Sequence, residues 1–391
     1  MHYRLLDNAD IHIARGLALC VRADYAYLKP EFQKLKDDLA SARAKAPVRS
    51  TIAEHRETID ALIMKGGGVK GLAFAGAICE LQKHFSFRIF VGTSAGSIAA
   101  ALLAAGATGA ELEEKLRRKS FRDFLDGHLW SLPITIWTLP GLHPGITFMD
   151  WLREELHQYV PKAADVELKD LPKRAVIYAA TTGSGEITFD TNGERADTAV
   201  HTAVRCSISI PYFFQPQSIN NRRVFDGGLL HSYPVEIFLS QEKQRNPQAS
   251  ALTFIALYLG TVRPFLLKPR PVIADLLSIW LERNDAQIID RYREDTVVID
   301  TSPISTIDFD LSDDEKDFLV IEGRAAALEF LAKRGSLDRS SVPVVGQTRA
   351  DAEKLRAKIN DARRKRRVRR QVIVMISGVA MIVALGFLVF R

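Results

Sequence analysis

A serine between two glycines stands in the first third of the chain, at residues 92–96 (GTSAG). When Gly-x-Ser-x-Gly joins a strand to a helix, the glycines permit a sharp turn that exposes the serine oxygen. The run FRIFV precedes the motif and a run rich in Ala and Leu follows it. The alternative is a structural turn in which the serine caps the helix. The pattern predicts a nucleophile at Ser94, in a turn formed by Gly92, Thr93, Ala95 and Gly96.

A glycine loop lies upstream, between a predicted strand at 60–65 and a predicted helix at 69–83. Glycines allow close approach to a ligand, and unpaired N–H groups at a helix start favour negative charge. Such a loop can hold a phosphate or a developing oxyanion. It also fits the dinucleotide pattern G-x-G-x-x-G, but the next strand ends in Phe90-Val91-Gly92 without the expected carboxylate. The predicted oxyanion residues are Gly66, Gly67, Gly68, Val69, Lys70 and Gly71.

A base must accept the serine proton, and the residue pattern favours an aspartate over a histidine. None of the nine histidines lies in a recognisable late catalytic loop, and His231 follows Asp226 too closely for the usual arrangement. Asp226 ends a predicted strand, and Gly227 and Gly228 allow the chain to turn tightly there. The alternative is an ordinary Asp-Gly turn between strands. Asp226 is therefore the candidate general base.

The three motifs, in this order and rough spacing, resemble those of patatin-like phospholipases. The stretch 203–214 (AVRCSISIPYFF) also resembles the small-residue helix that runs into Pro and Phe in this family. The resemblance covers about residues 60–300. It implies a Ser94–Asp226 dyad, an oxyanion hole that includes the N–H groups of Gly67 and Gly68, and neither a metal nor another cofactor. One departure is the stretch Ser232-Tyr233-Pro234, where relatives often carry asparagine before the proline.

The elements that must position these groups alternate between strand and helix from residue 58 onwards. Short apolar runs joined by helices predict a central, mostly parallel sheet with helices on both faces. The predicted fold class is thus α/β, a three-layer patatin-like fold with one C-terminal transmembrane helix. The predicted domains are a helical extension over 1–57, a catalytic domain over 58–334, a polar linker with a basic stretch over 335–370, and an anchor over 371–391.

Charge is distributed unevenly along the chain. The net charge is +6, but residues 363–391 hold eight basic residues and no acidic one, which leaves 45 basic against 47 acidic residues elsewhere. A near-neutral body argues against nucleic acid as a ligand, because such binding usually needs a basic face. The three cysteines are scattered and lack metal-ligand spacing, which argues against a disulfide framework or a zinc site.

The C-terminal tail contains 19 consecutive residues without a charge, 372–390 (VIVMISGVAMIVALGFLVF). As a helix this run would extend roughly 28 Å, close to the hydrocarbon thickness of a bilayer. Seven cations between Arg363 and Arg370 precede it, and such clusters remain on the cytoplasmic side next to anionic headgroups. The tail predicts a single-pass anchor, a catalytic domain facing the cytoplasm, and anionic lipid headgroups bound at 363–370. A buried core helix or a nuclear-targeting cluster is the alternative.

The predicted function is a membrane-tethered serine lipid acyl hydrolase that cleaves phospholipid or lysophospholipid carboxylic esters. Residues 124–151 hold three tryptophans among prolines and aliphatics, which fits a lid or acyl channel as well as a buried loop. A soluble acyl ester or a triglyceride remains an alternative substrate. An acyltransferase and a non-catalytic lipid-binding protein on the same fold remain alternative functions.

Overall fold

A computed structural model describes residues 56–126, 141–183, 185–260 and 285–389, with side chains up to residue 366 and at 368. Residues Arg56–Arg391 form one compact unit. The extension predicted for 1–57 lies outside the described residues, apart from its last two positions. The tryptophan-rich segment is described at 124–126 and 141–151 only.

Ten strands occur in the described residues, eight of them in one sheet. They are β1 (Glu57–Met64), β2 (Phe85–Thr93), β3 (Gly141–His143), β4 (Arg174–Thr181), β5 (Gly185–Asp190), β6 (Tyr212–Phe214), β7 (Gln217–Ile219), β8 (Arg222–Asp226), β9 (Phe254–Gly260) and β10 (Thr296–Asp300). The large sheet has the order β10-β9-β1-β2-β4-β8-β7, with β5 also paired to β4. Strands β3 and β6 form a separate two-stranded sheet.

Helices cover both faces of the sheet. They are α1 (Leu72–His84), α2 (Ala95–Ala105), α3 (Gly109–Arg118), α4 (Ile146–His157), α5 (Val200–Ser207), α6 (Gly228–His231), α7 (Val235–Arg245), α8 (Ala286–Arg291), α9 (Asp313–Lys333) and α10 (Val342–Val389). Residues of α1, α2 and α9 share one core with Leu62 of β1, whereas Val235 and Phe238 of α7 pack with Ile63 on the opposite face. The fold is therefore a three-layer α/β fold, as the strand and helix pattern predicts.

The sheet is mixed, which qualifies the expectation of a mostly parallel one. Strands β10, β9, β1, β2 and β4 run parallel to one another. Strands β5 and β8 run antiparallel to β4, and β7 runs antiparallel to β8. Each of the three is short or half-exposed, so its apolar signal is weaker than that of a strand buried on both faces.

Helix α10 follows α9 and packs against it through ion pairs. Arg349 reaches Glu322 and Glu329 of α9, and Ala352 and Ile359 of α10 are buried. Residues 372–389 of the predicted span form the last part of α10, beyond the described side chains. Among the described residues, no helix combines the length and the apolar character needed to cross a bilayer.

Candidate active site

Ser94 lies in a strained turn between β2 and α2. Its backbone has φ 51 and ψ −122, a conformation that residues with a side chain rarely adopt and that costs of order 1–3 kcal/mol. The flanking glycines are required sterically, because a Cβ on Gly92 would lie 2.2 Å from Gly96 O, and one on Gly96 would lie 2.3 Å from Met64 O. The turn has the sharp, strained backbone expected of a Gly-x-Ser-x-Gly motif, and Ser94 itself is only 4% exposed.

Asp226 lies next to Ser94 because β8 and β2 both pair with β4. Strand β5 occupies one edge of β4 from Val176 to Thr181, so β2 and β8 must share the other edge. Strand β2 ends there at the pair Thr93–Tyr178, and the antiparallel β8 ends one step further at the pair Ala179–Asp226. The two strands meet end to end, which places the elbow beside the aspartate.

The Asp226 carboxylate is completely buried, and this burial raises its pKa to about 7. Hydrogen bonds from the Ser94 side chain and the Gly228 N–H oppose the rise. Gly228 N lies 2.6 Å from Oδ1, whereas Oδ2 has no partner of good geometry among the described residues. The Ser94 side chain thus lowers the pKa of Asp226 without a hydrogen bond of good geometry to Oδ2. The site contains a carboxyl group whose pKa lies near neutral pH.

The glycine loop faces the elbow from the other side. A Cβ on Gly66 would lie 3.3 Å from the Ser94 Cβ, and Gly68 has a φ of +55 that favours glycine. The Gly66 N–H donates to Ser232 O, and the Val69 N–H donates to Thr306 O. Within the described residues, no hydrogen bond engages the N–H groups of Gly67 and Gly68.

These hydrogen bonds reduce the number of N–H groups that are available among the six residues predicted for the oxyanion hole. The Lys70 N–H is also occupied, since it donates to Gly67 O at 3.2 Å, and Gly71 approaches Ala95 of the elbow. Among residues 66–70, the N–H groups without a hydrogen bond in the described part of the chain are those of Gly67 and Gly68. Gly66, Val69, Lys70 and Gly71 shape the loop around them.

Ser207, at the end of α5, ties the elbow to the aspartate loop. Its hydroxyl accepts from the Ser94 N–H at 2.9 Å and donates to Tyr178 O at 2.6 Å. Its carbonyl accepts from the Gly227 N–H at 3.3 Å. The residue motifs assign no role to this serine. Its position in the small-residue stretch 203–214 is the one sequence feature that points to it. The two residues that its hydroxyl contacts, Ser94 and Tyr178, are distant in sequence.

We expect Ser207→Ala to lower the free energy of unfolding by about 1–3 kcal/mol, because the Ser94 N–H and the Tyr178 carbonyl would lose a buried partner. Ser86→Ala is the matched control, since Ser86 bonds Thr58 at an exposed edge. Urea unfolding measures both variants. A Ser207→Ala curve that coincides with the control would contradict this structural role.

Arg205 is a second residue that the motifs do not single out. Its side chain is fully buried, and it donates to Pro144 O, Gln215 O and the Ser209 hydroxyl. Burial lowers its pKa to about 10. The Ser209 carbonyl in turn accepts from the Asp226 N–H at 2.9 Å. Arg205 therefore stabilises the segment around Ser209, whose carbonyl accepts the Asp226 N–H.

A narrow apolar cavity of about 50 Å³ lies next to Ser94. Its walls combine Gly68, Ala95, Ile98 and Leu116 with the aromatic residues Phe121, Phe124, Phe148, Trp151, Phe214 and Phe309. A larger polar depression of about 950 Å³, lined by Arg174, Asp190 and Arg245, contains none of the predicted site residues. The described residues form no cluster of three potential metal ligands.

Comparisons with known proteins find similar sequences. Residues 62–239 match the sequence profile of the family described as patatin-like phospholipase. The protein YqhO of Bacillus subtilis is 29% identical over 287 residues, which are 69% of this chain and 97% of that protein. An NTE family protein of Mycobacterium tuberculosis is 30% identical over 45% of this chain and 27% of its own length. The mimivirus protein R571 is 23% identical over 45% of this chain and 60% of its own length.

Two solved bacterial structures match part of the chain. VipD of Legionella pneumophila matches with a TM-score of 0.44 and 13% identity, over 76% of this chain and 74% of that one. ExoU, in its complex with SpcU from Pseudomonas aeruginosa, matches with a TM-score of 0.44 and 20% identity, over 83% of this chain and 64% of that one. By its sequence match, the segment 62–239 belongs to the patatin-like phospholipase family.

Proposed function

We propose that this protein is a serine lipid acyl hydrolase that cleaves carboxylic esters of phospholipids or lysophospholipids. The observation that carries the proposal is the end-to-end meeting of β2 and β8 on β4, which sets Ser94 beside Asp226. The unengaged N–H groups of Gly67 and Gly68 on the facing loop support it. An apolar cavity at the serine fits an acyl group, since lipid sites are largely apolar.

The reaction proceeds in two steps through an acyl-enzyme. Asp226 accepts the Ser94 proton while the serine oxygen attacks the ester carbonyl, and the Gly67 and Gly68 N–H groups hold the oxyanion. The same carboxyl then protonates the leaving alcohol. In the second step Asp226 takes a proton from water, which attacks the acyl carbonyl, and the carboxyl then returns this proton to the Ser94 oxygen as the fatty acid leaves.

The test is incubation of the full-length protein with phospholipid vesicles, followed by mass analysis of the products. Release of free fatty acid together with the matching lysolipid supports a phospholipid hydrolase. An acceptor alcohol added to the same reaction separates hydrolysis from acyl transfer, because a transferase forms a new ester. Intact lipid under all conditions would contradict the proposal and favour a non-catalytic lipid-binding protein.

We also propose that the tail over 371–391 anchors the protein in a membrane, with the catalytic domain in the cytoplasm. The support is the sequence, in which the apolar run follows cations over 363–370. Flotation of the full chain with anionic vesicles tests this, beside the variant Ile382→Arg. An arginine at the centre of a span costs about 2.5–3.5 kcal/mol on insertion scales, so the variant should float poorly. Equal flotation would contradict the anchor.

The pH dependence of the reaction follows from the pKa of Asp226. A general base must be ionised, and the pKa of this buried carboxyl lies at about 7. We expect kcat/KM on a neutral ester to be constant above that pH and to fall about tenfold per pH unit below it. A stopped assay between pH 5 and 9 measures the profile. A profile that stays flat down to pH 5 would contradict the assignment of the base.

A further inference from the structure

Helix α10 sends a buried arginine into the body of the protein, at the start of the basic stretch. Arg363 is 7% exposed, and its guanidinium lies 3.0 Å from Asp308 and 2.7 Å from Glu315. It also donates to Pro303 O. The next three cations of the stretch, 364–366, are exposed. Arg363 is therefore engaged inside the fold and unavailable to lipid headgroups.

A second arginine of α10 contacts the same segment of the body, two turns earlier on the helix. Arg356 is 4% exposed and donates to the Asp300 carboxylate at 2.8 Å. It also donates to Ser302 O at 2.7 Å and to Asp300 O at 3.2 Å. The two arginines thus bind residues at both ends of 300–308, which include the end of β10 and most of its connection to α9.

The segment 300–309 touches the oxyanion loop directly. Thr306 O accepts the Val69 N–H at 3.1 Å and lies 2.0 Å from the position that a Cβ on Gly68 would occupy. Phe309, at the other end of the segment, stacks on Phe213 with ring centroids 4.8 Å apart and lines the cavity at Ser94. A shift of this segment therefore moves both the glycine loop and the wall of the acyl site.

We propose that Arg363 and Arg356 are positioning residues for the oxyanion hole, and that α10 acts on it through the segment 300–309. The inference rests on the proposed function, because the N–H groups of Gly67 and Gly68 matter only if they bind an oxyanion. A guanidinium that bonds two carboxylates and a carbonyl fixes the segment in orientation as well as in position. Helix α10, which leads to the tail, thereby helps to position the oxyanion hole.

The test compares Arg363→Gln with Lys358→Gln in the full-length protein. Lys358 also joins α10 to α9, through Asp314, but it has no bond to the segment 300–309 among the described residues. Hydrogen exchange of peptides covering 64–72 reports on the loop without requiring activity. For Arg363→Gln we expect faster exchange there and a kcat lower by up to about 10²-fold, with little change in KM, since small misplacements of catalytic groups have effects of this size.

Two further variants separate positioning from general stability. Arg363→Lys retains a charge that reaches only some of the partners, and it should recover part of the kcat. If Arg363→Gln does not fold, the combined variant Arg363→Met, Asp308→Asn and Glu315→Gln removes the charges together, which buried sites tolerate better than one unpaired charge. Loop exchange and kcat equal to those of Lys358→Gln would overturn the proposal. A wild-type protein without esterase activity would refute the proposed function. Hydrogen exchange of the glycine loop would still show whether Arg363 on α10 positions that loop.

Discussion

Replacing Ser94 by alanine is expected to abolish ester hydrolysis while the fold is retained. In the proposed reaction the serine oxygen forms the acyl-enzyme, and it lies between the Asp226 carboxylate and the glycine loop. Loss of the nucleophile in a serine hydrolase lowers kcat by on the order of 10⁶-fold. The strain at φ 51 persists in alanine, so no large gain in stability should accompany the loss. Release of fatty acid from vesicles measures the effect.

A fluorophosphonate probe supplies an independent readout, because it labels only an activated serine. The matched control is Ser97→Ala, which removes a buried serine of α2 whose hydroxyl donates to Ser94 O at 2.6 Å. Labelling should persist in the Ser97 variant and disappear in the Ser94 variant. Equal labelling of both variants would move the nucleophile away from Ser94.

The parts of the site that sequence patterns predict are those encoded locally. The elbow and the aspartate turn depend on glycines that lie within a few residues of Ser94 and Asp226. At Gly227, for example, a Cβ would lie 2.3 Å from Tyr178 O. The parallel strands are predictable for a similar reason, because strands buried on both faces are apolar throughout. Strand β9, for example, is buried at every position.

The parts that the patterns miss depend on contacts between distant segments. Ser207 meets Ser94 across 113 positions, and Arg363 meets Asp308 across 55. Neither residue type is unusual for its local segment, so periodicity and motifs carry no signal. Arg363 shows the difficulty most clearly, because it is the first of seven clustered cations that predict a lipid contact. Its burial is decided by carboxylates on another helix and loop.

Replacing Asp226 by asparagine is expected to abolish hydrolysis while it stabilises the fold. Asparagine has nearly the shape of aspartate and can still accept the Gly228 N–H, but it cannot take the Ser94 proton. Vesicle hydrolysis should therefore fall to the background of the Ser94→Ala variant. Asp290→Asn is the control, since Asp290 is an exposed residue paired with Arg293. Full activity of the Asp226 variant would exclude the dyad.

The stabilisation should depend on pH, and its sign follows from the raised pKa. Between the ordinary value of 3.8 and about 7, the unfolded chain releases the Asp226 proton whereas the folded protein retains it. The free energy of unfolding of the wild type therefore loses a contribution as pH rises through this window, and asparagine avoids that loss. The two proteins should be alike in this respect near pH 4 and should differ by on the order of 4 kcal/mol above pH 7. Urea unfolding near pH 4 and above pH 7 measures the difference in the free energy of unfolding between the two proteins. If this difference were the same at both pH values, the pKa of Asp226 would not be raised in the folded protein.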